Sequence, residues 1–319
     1  MRVALLDDYQ DAALASADWA SLPAGTEVVP FRDHLTDEAA IVERLRDFEV
    51  VVAMRERTPF PRRLVEQLPN LKLLVTTGAR NASFDMAALG DHGVLVCGTG
   101  GVNTPTAELT WGLLLALARH IPDEDRAIRE GRWQTTLGVG MERRTLGLVG
   151  LGNLGSQVAK VARAFGMELI AWSENLTAER AAEHGATLVT KDELFARADY
   201  VSIHLILSKR TRGLIGAHEL GLMKPTAYLV NTSRGPIVEE AALIETLRER
   251  RIAGAGLDVF DVEPLPRDHP FTSLDNVILT PHLGYVTEEG YGVYYRHALE
   301  DVQAFLDGAP VRVVALPTA

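Results

Sequence analysis

Residues 145–166 read TLGLVGLGNLGSQVAKVARAFG, and no other stretch restricts the fold as strongly. An apolar run, Thr145–Val149, enters a loop carrying Gly150, Gly152 and Gly155, and a helix follows from Leu154 to Phe165. Strand, Gly-x-Gly-x-x-Gly and helix in that order make a dinucleotide-binding fingerprint. Each glycine has its own task. The first makes the tight turn, the second lets backbone approach a pyrophosphate, and the third packs helix on strand. Asn153 and Leu154 then offer backbone N–H groups at the positive end of the helix. The second strand of such a unit carries an acidic residue about 20 positions on, bonded to the ribose. Here it ends Ala171-Trp172-Ser173-Glu174, with Ser173 where an Asp is common and no Arg or Lys before Arg180. NAD is favoured and NADP stays open.

The rest of the chain alternates in the same way. Val3–Leu6, Val50–Ala53, Leu73–Thr76 and Val94–Cys97 are continuous apolar runs, the pattern of strands buried on both faces. Between them lie the amphipathic stretches Asp37–Asp47, Arg62–Gln67 and Asp85–Asp91. Glu108–Arg119 is apolar nearly all round, as in a buried helix, and Asp123–Arg144 reads as a short helix followed by a surface connection. A second series of strands is expected at Thr145–Val149, Glu168–Trp172, Tyr200–His204, Ala227–Asn231, Gly254–Val259 and Val277–Leu279. Helices are expected at about 154–165, 192–197 and 239–250, with a long final one from Glu288 to Leu306. Strand–helix alternation of this kind predicts an α/β fold of two doubly wound parallel sheets.

Composition removes several functions. The chain has 319 residues, with 32 Lys+Arg against 43 Asp+Glu and a net charge of −11. An acidic chain without a dense basic cluster is a poor binder of nucleic-acid phosphates. The longest apolar stretch without a charge, Leu109–Ala118, has 10 residues, about half of the ~20 needed to span a bilayer. Val3–Leu6 before Asp7 and Asp8 is too short for a signal-peptide core. Cys97 is the only cysteine, which removes an intramolecular disulfide and a cysteine-rich zinc site, and no metal is expected. A soluble, cytoplasmic protein is the expectation. There is no Gly-Lys dipeptide for a P-loop, and none of the seven tyrosines has Lys four residues on.

Three further segments follow strands, where open α/β sheets place ligands: Asn231-Thr232-Ser233-Arg234-Gly235, Leu257-Asp258-Val259-Phe260-Asp261-Val262-Glu263-Pro264 and Thr280-Pro281-His282-Leu283-Gly284. They supply a fixed cation, carboxylates and a titratable imidazole. Hydride reduction of a 2-oxo acid needs that set: an Arg as two-pronged partner of the carboxylate, and an acid to protonate the developing alkoxide. A carboxylate beside the His would orient it and favour its charged form.

With these segments the chain resembles the D-isomer-specific 2-hydroxyacid dehydrogenases over nearly its whole length. TLGLVGLGNLG, ADYVSIHLILSKRTRGLIG, MKPTAYLVNTSRGPIV, AGLDVFDVEPLP and NVILTPHLG occur in the family's order and spacing. The resemblance implies that Arg234 binds the substrate's carboxylate and carbonyl, that Glu263 pairs with the catalytic His, and that His282 is the general acid/base. It implies Asp258 on the nicotinamide carboxamide, with Thr106 and Thr232 as further cofactor contacts beside Gly150, Gly152, Asn153, Leu154, Gly155 and Ser173. Gly78, Ala79 and Arg80 fall on the loop whose amides hold the substrate carboxylate, and Arg55 and Tyr285 are further candidates for the pocket. The implied organisation is a discontinuous substrate domain, residues 1–97 plus 285–319, around an NAD(P)-binding domain, residues 98–284. The partners implied are a small 2-oxo or 2-hydroxy acid and a second copy of the chain, joined through the 104–120 helix region.

The chain departs from the family pattern at a few places. Arg80 stands where Gly is frequent, Ile206 and Lys209 where Pro is common, and Ser173 where Asp is usual. The Arg234, Glu263 and His282 set is intact. Glu263 counts against a formate dehydrogenase, whose His pairs with Gln. The competing reading is a non-catalytic NAD(H)-sensing interaction protein on the same fold, since fold does not fix function.

Overall fold

The computed structural model describes residues 1–314. They form two compact units: Met1–Val102 together with the chain from Thr287 onward, and Asn103–Val286.

In the first unit β1 (Arg2–Leu5), β2 (Glu27–Pro30), β3 (Val50–Ala53), β4 (Leu73–Thr76) and β5 (Leu95–Gly98) form a parallel sheet in the order β2-β1-β3-β4-β5. β3 and β4 are buried along their whole length, which is what their unbroken apolar sequences require. Helices α1 (Ala13–Ser16), α2 (Glu38–Leu45), α3 (Arg62–Val65) and α4 (Met86–Asp91) make the crossovers. The side chains of Asp37 and Asp85 cap α2 and α4. The helix Glu288–Leu306 buries Tyr291, Tyr294, Tyr295, Ala298 and Val302 and packs on β4 and α1.

The second unit has seven parallel strands: β6 (Thr145–Val149), β7 (Glu168–Trp172), β8 (Thr187–Leu188), β9 (Tyr200–Ile203), β10 (Tyr228–Asn231), β11 (Gly254–Leu257) and β12 (Val277–Leu279). Their order, β12-β11-β10-β9-β6-β7-β8, is doubly wound and reverses direction between β6 and β9. The helices are α5 (Pro105–Arg119), α6 (Ile121–Arg129), α7 (Asn153–Ala164), α8 (Ala178–Glu183), α9 (Lys191–Arg197), α10 (Ala217–Leu222) and α11 (Glu240–Arg248). Two apolar clusters cover the faces of this sheet. Trp111, Leu114, Val158 and Tyr200 belong to one; Phe195, Ile203, Leu229 and Leu257 belong to the other.

Several short elements lie outside the expected pattern. β2 is an edge strand ending in Pro30, and β8 is an edge strand of two residues; neither is fully buried, so neither carries an apolar run. α8 and α10 have 6 residues each, too short to display a helical period. The expected Gly254–Val259 strand ends at Leu257, where the chain turns into the segment that carries Asp258.

Candidate active site

The glycine loop forms at the reversal point of the larger sheet. Gly150 has φ +102°, a conformation that L side chains rarely adopt, and a Cβ there would lie 2.9 Å from the His204 carbonyl oxygen. A Cβ on Gly155 would run into the Gly150 carbonyl, so its absence lets α7 start directly against β6. Gly152 differs: a Cβ built there meets nothing within 4 Å. That open side, over the N-terminus of α7 at Asn153, leaves room for a pyrophosphate against bare backbone. The loop therefore fits a dinucleotide. Ser173 stands half-buried just after β7, with exposed Glu174 next to it. His204 bonds Ser202 Oγ through Nε2 at 2.9 Å. Burial pushes its imidazole down to about 4, so it is neutral at physiological pH.

The loops after β10, β11 and β12 carry the remaining groups. Asn231 shapes the first: its Oδ1 accepts the Ser233 N–H at 3.0 Å and its amide donates to the Arg234 carbonyl at 3.0 Å. Arg234 leaves this turn half-buried, with one guanidinium N–H on the Ser233 carbonyl at 2.7 Å. Gly235 comes next. A Cβ there would strike the Phe260 carbonyl and lie 2.6 Å from Asp261 N, so only glycine lets the Arg234 loop press against the loop leading to Glu263.

Asp258 is fully buried and organises the third loop. Its Oδ1 accepts from Thr280 Oγ1 at 2.6 Å and Leu283 N–H at 2.7 Å, and its Oδ2 from Gly284 N–H at 2.9 Å. Its own carbonyl takes the His282 N–H at 2.8 Å. Burial raises its pKa, and the three donors and His282 oppose the rise without cancelling it. Thr106 donates to the Gly284 carbonyl at 2.8 Å, and Thr110 bridges the Thr106 carbonyl to Thr232 Oγ1. Thr106 thus anchors the His282 loop. It lies inside α5, and Thr104 occupies the N-cap position without a side-chain cap bond.

So held, His282 takes φ +54° and places Nδ1 2.6 Å from Glu263 Oε2. Glu263 Oε1 accepts the Phe260 N–H at 2.9 Å, which leaves the carboxylate one orientation. Burial works to raise the Glu263 pKa, but the His282 hydrogen bond and charge, the Phe260 amide and the Arg234 charge outweigh it and hold the carboxyl below its ordinary value. Tyr285 meets the His282 ring edge-on, with centroids 5.5 Å apart. Arg234, Glu263, His282, Asp258 and Tyr285 are therefore one physical cluster. Asn231, Thr280 and Thr110 also belong to it. The sequence signal for Asn231 and Thr280 lay in the strand-end segments, which gave them no separate role, and Thr110 stood unmarked in the apolar stretch Glu108–Arg119.

In the first unit the structure brings Arg55 and Gly78 together. Arg55, at φ +52°, takes Thr77 Oγ1 on its N–H at 2.9 Å and sends its guanidinium to the Thr77 carbonyl at 3.4 Å. A Cβ on Gly78 would collide with that guanidinium. Ala79 and Arg80 are exposed. Arg57 was not singled out from sequence; it donates to the Asp7 carbonyl at 2.7 Å and stacks over Tyr9.

Residues 111–284 match the family model described as D-isomer specific 2-hydroxyacid dehydrogenase, NAD binding domain. The chain belongs to this family. NAD(H) is its cofactor. Among curated relatives, a D-3-phosphoglycerate dehydrogenase from Synechocystis is 37% identical over 86% of the chain and 50% of that protein. A glyoxylate reductase from Aeropyrum pernix is 41% identical over 77% of the chain and 76% of the relative. The chain thus spans about half the length of the phosphoglycerate dehydrogenases it matches. A solved phosphoglycerate oxidoreductase from Vibrio cholerae superposes with a TM-score of 0.92 at 38% identity, covering 97% of this chain and 100% of that one.

Proposed function

We propose that this dehydrogenase reduces a small 2-oxo acid to its D-2-hydroxy acid, reversibly, with NAD(H) preferred over NADP(H). The observation that carries the reading is the His282 Nδ1 to Glu263 Oε2 contact of 2.6 Å beside Arg234. A carboxylate on Nδ1 places the proton there and leaves Nε2 to face a substrate. Arg234 holds the substrate's carboxylate by its planar fork. His282 Nε2 gives a proton to the carbonyl oxygen in reduction and takes it back in oxidation, while Glu263 stabilises the imidazolium. When bound, the nicotinamide supplies or accepts the hydride at C2. Asp258, Thr106 and Thr232 fix the loops on the nicotinamide side, and Gly150, Gly152, Asn153, Leu154, Gly155 and Ser173 hold the rest of the cofactor. Arg55, Gly78, Ala79, Arg80 and Tyr285 are the remaining substrate contacts in this reading. The Asn103–Val286 unit is then the cofactor domain and the other unit the substrate domain.

The decisive test is NADH and NADPH oxidation against glyoxylate, hydroxypyruvate, pyruvate, 2-oxoisocaproate and phenylpyruvate. His282→Asn is the informative variant, because Asn tolerates the left-handed backbone at this position. Its turnover should fall by roughly 10²–10⁴-fold, the range of general acid catalysis. Wild-type turnover in that variant refutes the assignment, and tight NADH binding without any turnover replaces it with the sensing reading.

The same reading makes the protein a cytoplasmic homodimer; no helix among the described residues is long and apolar enough to cross a membrane. α5 itself is largely committed to its own core. The apolar surface lies just after it, where Trp133 is 74% and Leu137 92% exposed beside a groove of about 550 Å³ lined by Arg119, Ile121, Glu124, Asp125, Ile128 and Arg132. Glu124 pins this arm by accepting from Thr135 Oγ1 and Thr136 Oγ1. Both charge signs border the patch, so that it can meet a second copy of itself about a two-fold axis with opposite charges facing. Trp133→Glu with Leu137→Glu should halve the mass seen in sedimentation, and an unchanged mass argues against this surface.

A further inference from the structure

The loop after β4 is anchored at both ends and open in the middle. Gly78 donates its N–H to Thr99 Oγ1 at 2.7 Å and accepts the Thr99 N–H at 3.0 Å. At the other end Asn81 donates to the Arg55 carbonyl at 2.5 Å and to Thr76 Oγ1 at 3.0 Å, and its Oδ1 accepts from Ser83. A Cβ on Gly98 would lie 2.8 Å from the Gly78 carbonyl oxygen, so the loop rests on bare backbone from below. Between these anchors the N–H groups of Ala79 and Arg80 and the Arg80 guanidinium have no acceptor among the described residues, and both residues are exposed. Successive amides beside a guanidinium are the components of an anion receptor.

The neighbouring charges at this edge of the sheet are already engaged. Arg55 lies 3.8 Å from Glu56, and Arg57 bonds the Asp7 carbonyl. Asp7 takes His34 and Thr58, and Asp8 accepts the N–H groups of Ala12 and Ala13. Tyr9, pushed up to about 12 mainly by burial, stays neutral. Arg80 is the cation of this edge with no such engagement, and β1, β3 and β4 all end here because the sheet is parallel.

We propose that Arg80 is a specificity-determining residue that selects 2-oxo acids carrying a second anionic group, carboxylate or phosphate, on the side chain. This rests on the dehydrogenase reading above: the loop amides engage the 2-carboxylate, and the adjacent guanidinium takes the distal anion. A substrate such as glyoxylate or pyruvate leaves that guanidinium without a partner.

The test is the ratio of kcat/KM for oxaloacetate, 2-oxoglutarate and phosphohydroxypyruvate to that for pyruvate, in wild type, Arg80→Ala, Arg80→Lys and Arg80→Glu. The ratio should exceed one in wild type and fall by roughly 10–100-fold in Arg80→Ala, the worth of a charge-assisted hydrogen bond. The change should sit in KM. Lys should restore part of it and Glu should depress it further. Which dianion leads separates carboxylate from phosphate recognition. Equal kcat/KM for mono- and dianionic acids in wild type, or a ratio unmoved in Arg80→Ala, overturns the proposal while leaving the dehydrogenase reading intact. Absence of turnover with every acid overturns the dehydrogenase reading instead. Calorimetric binding of D-malate against D-lactate to the NADH-loaded protein then decides: tighter D-malate binding that Arg80→Ala removes supports anion selection, and no preference ends it.

Discussion

Gly235→Ala is the substitution whose outcome follows most directly from the structure. Gly235 has no left-handed φ, so an alanine carries no backbone penalty of its own. The cost is steric. The new methyl would lie 2.6 Å from Asp261 N, where ordinary contact begins at 3.4 Å, with the Phe260 carbonyl carbon and oxygen nearer still. All three are backbone atoms and cannot rotate away, so the Arg234 loop and the Phe260–Glu263 segment must part by about 0.8 Å or more. Forced overpacking of this kind costs roughly 1–3 kcal/mol. In a unit of this size each kcal/mol lowers Tm by about 2–4 °C. The parting also separates Arg234 from the His282–Glu263 pair, and a 1 Å misplacement in a reacting constellation costs about 10²-fold in rate. Thermal unfolding by circular dichroism and kcat/KM with NADH and a 2-oxo acid should therefore fall together. Gly152→Ala is the contrast, since its methyl enters open space. Its Tm should hold, while its NADH dissociation constant rises by about tenfold or more through loss of close backbone approach to the pyrophosphate. A Gly235→Ala protein with wild-type Tm and turnover would refute the steric account.

Glu263→Gln should lower kcat by roughly 10–100-fold, the value of one charge-assisted hydrogen bond, with little change in Tm because the pair is partly exposed. The Glu263 carboxyl is held below its ordinary value, so the stabilisation it contributes is present above the unfolded carboxylate range and is lost as pH falls through the folded value; acid unfolding curves of wild type and Glu263→Gln should converge at low pH. Arg234→Lys should raise KM for the 2-oxo acid far more than it changes NADH binding, since an ammonium lacks the fork. At Asp301 the sign is opposite. Burial pushes this carboxyl up to about 7 despite the Arg312 hydrogen bond at 2.9 Å, with Glu300 adding to the rise, so its contribution is full below the unfolded carboxylate range and is lost as pH rises through about 7. The loss of Tm between pH 6 and 8 should be smaller in Asp301→Asn than in wild type, as thermal scans across that range would show.

How much was legible depended on whether a feature was local. Thr145–Val149, the three glycines and α7 could be read because the turn chemistry and the apolar run stand next to each other in the chain. β3 and β4 matched to the residue because burial on both faces leaves an unbroken apolar signature, and the half-buried edge strand β12 matched on its short apolar run Val277–Leu279. β2 and β8 lacked it as edge strands, and α8 and α10 were too brief to show a period. Candidate residues were found by type, but their support was not. Nothing in the spacing of Asp258 and Thr280 announces a 2.6 Å bond across 22 residues, nor that Gly235 abuts the Phe260 backbone. Those relations come from pairing between strands.

Strand register explains why three segments so far apart in the chain form one cluster. Asn231 is opposite Leu257, and Leu257 is opposite Leu279, so β10, β11 and β12 all end at the same level. Arg234 and His282 each follow three residues beyond that level, and Glu263 follows six beyond it. The shorter excursions need only a turn, supplied by Asn231 in one case and by the left-handed His282 backbone in the other. The longer one must double back, which the Glu263 side chain secures by accepting the Phe260 N–H within its own loop. That contact also adds to the His282 hydrogen bond and charge that hold the Glu263 carboxyl below its ordinary value, so one bond helps both to place the carboxylate and to keep it ionised. In this geometry, aligning the base pair and setting its charge are one event, and any change that alters the register of β11 must disturb both.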